Sequence, residues 1–142
     1  MTCFMGDELR LYCEKKQLSE LRMFLTDILI NTKLSEINKN EIILAVEEVC
    51  ANLIIHSHAC NPKDSIVLDV IQDKHKIIFE IRDSGKAFNL LEYQEPQISD
   101  VIREKRKGGL GIILIKKIMD SIEFESVGNQ NICRLTKCLN SK

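Results

Sequence analysis

The spacing of hydrophobic residues changes several times along the chain, and each change marks an element. Leu9, Leu11 and Cys13 alternate with Arg10, Tyr12 and Glu14, which predicts an edge strand over residues 8–14 with one face buried. From Ser19 or the residue before it the period lengthens. Leu18, Leu21, Phe24, Leu25, Ile28 and Leu29 recur at helical spacing and predict a helix to about residue 32. Ser35, followed by Asn38, marks a second helix start. Ile42, Leu44, Val46, Val49, Leu53 and Ile54 then carry that helix to about His58.

SIVLDVIQD and KIIFEIRD are rich in β-branched residues and flank Asp73-Lys74-His75, the pattern of a hairpin. Residues 84–107 hold glycine, Pro96 and many polar side chains, with a short helix expected near 97–104. A connection of that length inside a compact domain is unusual and often functional. A helix over about 110–119 follows, then two strands, about 121–127 and 131–138, around Gly128-Asn129. This order predicts an α+β fold over one domain, residues 1–142. It is a two-layer sandwich with helices on one face of a mixed, mostly antiparallel sheet.

Composition narrows the class of function. The 142 residues are 44% hydrophobic and 29% charged, the balance of a soluble globular domain. No apolar run approaches the ~18 residues of a membrane span, and the N-terminal MTCFMGDELRLYCEKK lacks the basic-then-apolar pattern of a signal peptide. A net charge of −1 gives no reason to expect direct contact with nucleic acid. The six cysteines form no CxxC pair and no zinc-ligand spacing. Cys50 lies in an apolar helical pattern, where a thiol acts as a small hydrophobe. Reduced, structural cysteines in the cytoplasm are expected.

Three short motifs carry the candidate chemistry. In EIILAVEEVCANLIIHSH, Glu48, Asn52 and His56 stand four apart and share one helix face. A carboxylate and an amide oxygen so placed can hold a hydrated Mg²⁺, or one can take a proton while the other binds metal. A solvated helix face has the same spacing. In DSGKAF, Asp83 ends a strand ahead of Ser84 and Gly85. A fixed carboxylate there can accept a hydrogen bond from an exocyclic amine, and glycine lets a flat ring approach the backbone. A tight turn asks for the same residues. In KGGLGIILIKKIMD, Gly108, Gly109 and Gly111 open a helix behind Lys105, Arg106 and Lys107. Backbone N–H groups at a helix start, with cations upstream, suit phosphates. The glycines follow neither the Walker A pattern nor a Rossmann strand.

Together and in this order, the motifs resemble the N, G1 and G2 boxes of the GHKL ATPases, whose fold is the Bergerat ATP-binding fold. The short first strand, VEEVCANLIIH, IRDSGKAF and GGLGIILIKKIMD are most similar to the anti-sigma-factor serine kinases of the RsbW and SpoIIAB kind, over about residues 8–138. The resemblance implies Glu48 as general base and Asn52 as Mg²⁺ ligand, with His56 supporting the site. It implies Asp83 as the partner of the adenine amine, with Gly85 shaping the pocket. Gly108, Gly109 and Gly111, with Lys107 or Arg106, would hold the phosphates of ATP, and residues about 89–109 would form a mobile lid. Departures are Ser57 after the N-box histidine, Lys86 and Ala87 in the G1 loop, and Gly128-Asn129-Gln130-Asn131 where relatives carry Gly-Thr. There Asn131 can replace the threonine's hydrogen bond.

The implied activity is transfer of the ATP γ-phosphate to a serine of a small STAS-type anti-sigma-factor antagonist, together with sequestration of a sigma factor. A homodimer through the sheet edge and first helix is also implied. The alternative is a nucleotide-dependent protein-binding module without kinase activity.

Overall fold

The computed structural model describes residues 5–12, 15–53, 65–84, 113, 115–128 and 130–139. Strands β1 (Met5–Tyr12), β2 (Ser65–Gln72), β3 (Lys76–Ser84), β4 (Ser121–Val127) and β5 (Gln130–Cys138) form one sheet in the order β1-β2-β3-β5-β4. All four pairings among the described residues are antiparallel. Helices α1 (Lys15–Leu29) and α2 (Glu36–Asn52) connect β1 to β2.

Strand alternation sorts the sheet into two faces. Leu9, Leu68, Ile81, Cys133 and Phe124 align across the five strands in one row, and Val70, Phe79, Leu135 and Ile122 in the next. These side chains share one core with Leu21, Leu25 and Leu29 of α1 and Ile42, Val46, Val49 and Cys50 of α2. Ile115, Ile118 and Met119 join the same core. The opposite face carries charge. Arg82 pairs with Asp69 and Glu8, and Arg134 bridges Glu80 (3.0 Å) and Glu125 (3.1 Å). Lateral ion pairs of this kind suit a half-solvated antiparallel face.

α1 begins at Lys15, earlier than the apolar periodicity predicts, and β1 begins at Met5 rather than at residue 8. The helix start is hidden because no acidic residue occupies its first turn and Lys16 opposes the helix dipole. Gln17 ties the corner instead, its Oε1 accepting the Tyr12 N–H at 3.2 Å. The helix ends at Leu29, whose carbonyl accepts both the N–H and the hydroxyl of Thr32. α2 starts where the sequence places it, since the Ser35 hydroxyl accepts the Asn38 N–H at 3.1 Å.

Residues 115–118 are helical and are fixed against β5 at their end. Lys137 Nζ donates to the Ile118 carbonyl (2.7 Å), and Asp120 accepts the Cys138 N–H (2.6 Å). A lysine on a terminal helix carbonyl satisfies an acceptor that the helix itself leaves open.

Candidate active site

Among the described residues, three buried side chains are polar: Asn52, Asp83 and Asn131, each 5–6% exposed. Buried polar groups are costly unless held by hydrogen bonds, so their positions are informative. Asp83 and Asn131 sit directly opposite each other on β3 and β5. The next residue in that row is Ser126 of β4, paired with Asn131. Its hydroxyl donates to Asn131 Oδ1 at 2.9 Å. The hydrophobic rows of the sheet therefore end in a polar row: Asp83, Asn131, Ser126.

The last turns of α2 carry Cys50 and Asn52, both buried. Burial pushes the Cys50 thiol well above the ordinary thiol range, and proximity to Cys133 adds to the push. Burial likewise pushes Cys133 up to about 12, with the Asp83 charge contributing. Cys50 of α2 and Cys133 of β5 thus belong to one core, and the Asp83 charge on β3 is felt at Cys133. Asn131 lies two residues before Cys133 on the same face of β5. Both thiols are free and are held protonated, as expected of structural cysteines, and Cys138 is free and exposed.

The helix motif resolves into distinct environments. Asn52 is buried and Glu48, one turn earlier, is half-buried, so at Asn52 the stripe is not a solvated face. Glu47 serves another purpose. It accepts two hydrogen bonds from Arg22 of α1, at 2.6 and 3.2 Å, and clamps the two helices together. This bidentate pair raises the Arg22 pKa, first through the hydrogen bond and then through the Glu47 charge.

Of the residues expected at the site, Glu48, Asn52 and Asp83 are among those the structure describes. Gly85, Lys107, Gly108, Gly109 and Gly111 lie outside the described residues, as do His56, Lys105, Arg106 and the expected lid over 89–109. Ser126 was not expected. Counting back from Gly128-Asn129 pairs Val127 with Gln130 and Ser126 with Asn131, so the hairpin register held the signal.

The donor set suits a nucleotide carrying a hard cation. Mg²⁺ on a triphosphate needs one or two protein oxygens and takes the rest from phosphate and water. The Asn52 amide oxygen, with the Glu48 carboxylate one turn away, offers oxygen donors of that kind.

Comparison with known proteins agrees with this architecture. Residues 12–137 match the histidine kinase-like ATPase domain. The anti-sigma F factor of Anoxybacillus flavithermus is 28% identical over 90 residues, 63% of this chain and 62% of that protein. The serine-protein kinase RsbW of Halalkalibacterium halodurans is 28% identical over 89 residues, 60% of this chain and 54% of that protein. The alignments with these two relatives thus span less than two thirds of their length. RsbW of Bacillus velezensis is 23% identical over 141 residues, covering 95% of this chain and 86% of that protein. The crystal structure of the SiaB–SiaC complex from Pseudomonas aeruginosa contains a chain of the same fold. Its TM-score is 0.62 at 10% identity, over 93% of this chain and 89% of that one. With the match spanning nearly the whole chain and the antiparallel sheet and helices in place, the protein belongs to the histidine kinase-like ATPase family.

Proposed function

We propose that this protein binds Mg²⁺-ATP, phosphorylates a serine of a small anti-sigma-factor antagonist and, in its other state, holds a sigma factor inactive. The observation that carries the reading is the buried polar pair Asp83 and Asn131, opposite each other on β3 and β5, with Asn52 buried at the end of α2, in an otherwise apolar core. Burying three polar side chains costs free energy that an apolar core alone would not require, which favours a polar ligand as their use. Relatives named anti-sigma F factor and serine-protein kinase RsbW support the regulatory part.

Bound Mg²⁺-ATP would supply the transferable phosphoryl group and the metal that neutralises its charge. The chain's own residues position it, which is most of what phosphoryl transfer requires. Asp83 accepts a hydrogen bond from the base amine. Asn52 offers its amide oxygen to the metal. Glu48, one helical turn away, takes the proton of the incoming serine hydroxyl. By the resemblance, Gly85 would shape the base pocket, and Lys107, Gly108, Gly109 and Gly111 would hold the phosphates. The domain spans residues 1–142 and works in the cytoplasm; no helix among the described residues is long and apolar enough to cross a membrane. β1 is an edge strand with α1 beside it, which supports a homodimer through that edge.

The test is incubation with Mg²⁺, labelled ATP and a small STAS-type antagonist, followed by detection of phosphoserine. Transfer to the antagonist is expected. Nucleotide binding without transfer to any such partner would replace the kinase reading with that of a nucleotide-dependent binding module.

A further inference from the structure

We infer that Ser126 is a positioning residue that locks the Asn131 amide, so that Asp83 and Asn131 together read the hydrogen-bonding edge of adenine; the inference rests on the nucleotide-binding reading above. The row across the sheet runs Asp83, Asn131, Ser126. Ser126 Oγ donates to Asn131 Oδ1 at 2.9 Å, so the amide oxygen is turned toward β4. With its oxygen held by Ser126, the planar amide turns its nitrogen away from that hydroxyl, on a residue whose other neighbour in the row is Asp83. That nitrogen carries two hydrogens and can serve a neighbouring carboxylate and a ligand acceptor together.

The row therefore offers a carboxylate acceptor beside an amide donor. The adenine edge is the matching pair, with an exocyclic amine that donates and a ring nitrogen, N1, that accepts. Guanine presents the reverse, a carbonyl oxygen toward the carboxylate and an N1–H toward the amide. A flipped Asn131 amide would present its oxygen and lose this discrimination. Burial of both Asp83 and Asn131 makes the mismatch expensive, because acceptor then faces acceptor and donor faces donor away from water.

The experiment compares binding of ATP and 1-deaza-ATP, which lacks the N1 acceptor, to wild type, Asn131→Ala, Ser126→Ala and Ser126→Thr. Loss of one hydrogen bond should weaken binding of the analogue to wild type by about three- to tenfold. Asn131→Ala should bind both nucleotides equally, and Ser126→Ala should shrink the ratio toward one. Ser126→Thr keeps the hydroxyl and should restore it. A mere packing role for Ser126 would lower both affinities and leave the ratio unchanged, and that result would overturn the inference. So would a full analogue penalty persisting in Asn131→Ala. If Asn131→Ala does not fold, the two Ser126 variants decide alone. Failure of wild type to bind ATP at all would instead sink the nucleotide-binding reading and this inference with it.

Discussion

Glu47 and Glu48 are neighbours in sequence with separate tasks. Consecutive helical residues point about 100° apart. Glu47 meets Arg22 of α1, and Glu48 shares the face of Asn52. If Glu48 takes the serine proton, Glu48→Gln should lower single-turnover phosphorylation of the antagonist by ~10²–10⁴-fold with little change in nucleotide affinity. Glu47→Gln should keep the wild-type rate, and its loss of stability should stay within about 1 kcal/mol, since Arg22 is largely exposed. Asn52→Ala should lose both metal-dependent binding and turnover. Wild-type rates in Glu48→Gln would remove Glu48 as the base. At this scale the sequence was partly legible. Four-residue spacing paired Glu48 with Asn52, and a strand-end position marked Asp83. The same spacing does not say whether a stripe is wet or buried, so the burial of Asn52 needed the fold. The Arg22–Glu47 clamp joins residues 25 apart, and nothing local announces it.

Two turns show how the elements are held in register. Gly128 joins β4 to β5 with φ +62°, and a Cβ added there would meet nothing within 4 Å. Gly128→Ala should therefore cost about 1 kcal/mol from backbone conformation alone, and Gly128→Asn less, because asparagine tolerates the left-handed region. Urea midpoints would show this order; equal midpoints for all three proteins would contradict it. Between β2 and β3, the Asp73 carboxylate accepts the N–H of His75 at 2.7 Å and of Lys76 at 2.9 Å. These bonds hold its pKa below the ordinary carboxylate value. A pKa lowered by folding adds stability above the unfolded value, about 3.9, and that stability is lost as pH falls through the folded value. Asp73→Ala should lower the urea midpoint at neutral pH, and the gap to wild type should close in acid. A gap constant down to about pH 3 would assign Asp73 a role independent of its charge. The strands were legible because β-branched alternation and turn residues agree in β2, β3, β4 and β5. The start of α1 was not, because its first turn carries lysines in place of a capping residue.

Across the whole molecule, the candidate site joins elements far apart in sequence. Asn52 ends α2, Asp83 is the last but one residue of β3, and Asn131 is the second of β5. All three border one continuous core, so a ligand bound there is coupled to global unfolding rather than to one loop. A ligand that binds only the native state stabilises it by RT ln(1 + [L]/Kd), about 2.7 kcal/mol at 100 times Kd. For a domain of this size that corresponds to a rise in melting temperature of roughly 5–15 °C. Mg²⁺-ATP should produce such a rise in wild type. Asp83→Asn should melt at its own intrinsic temperature and gain much less from ATP, because an amide replaces the charged acceptor for the base amine. It should also lose part of the preference for ATP over GTP, while Glu48→Gln, which does not hold the base, should keep the full shift. The comparison is made within each variant, with and without nucleotide, so that any intrinsic change from altering a buried carboxylate cancels. Absence of a shift in wild type at millimolar Mg²⁺-ATP would overturn the nucleotide site as a whole. An undiminished shift in Asp83→Asn would keep the nucleotide but move the base away from β3.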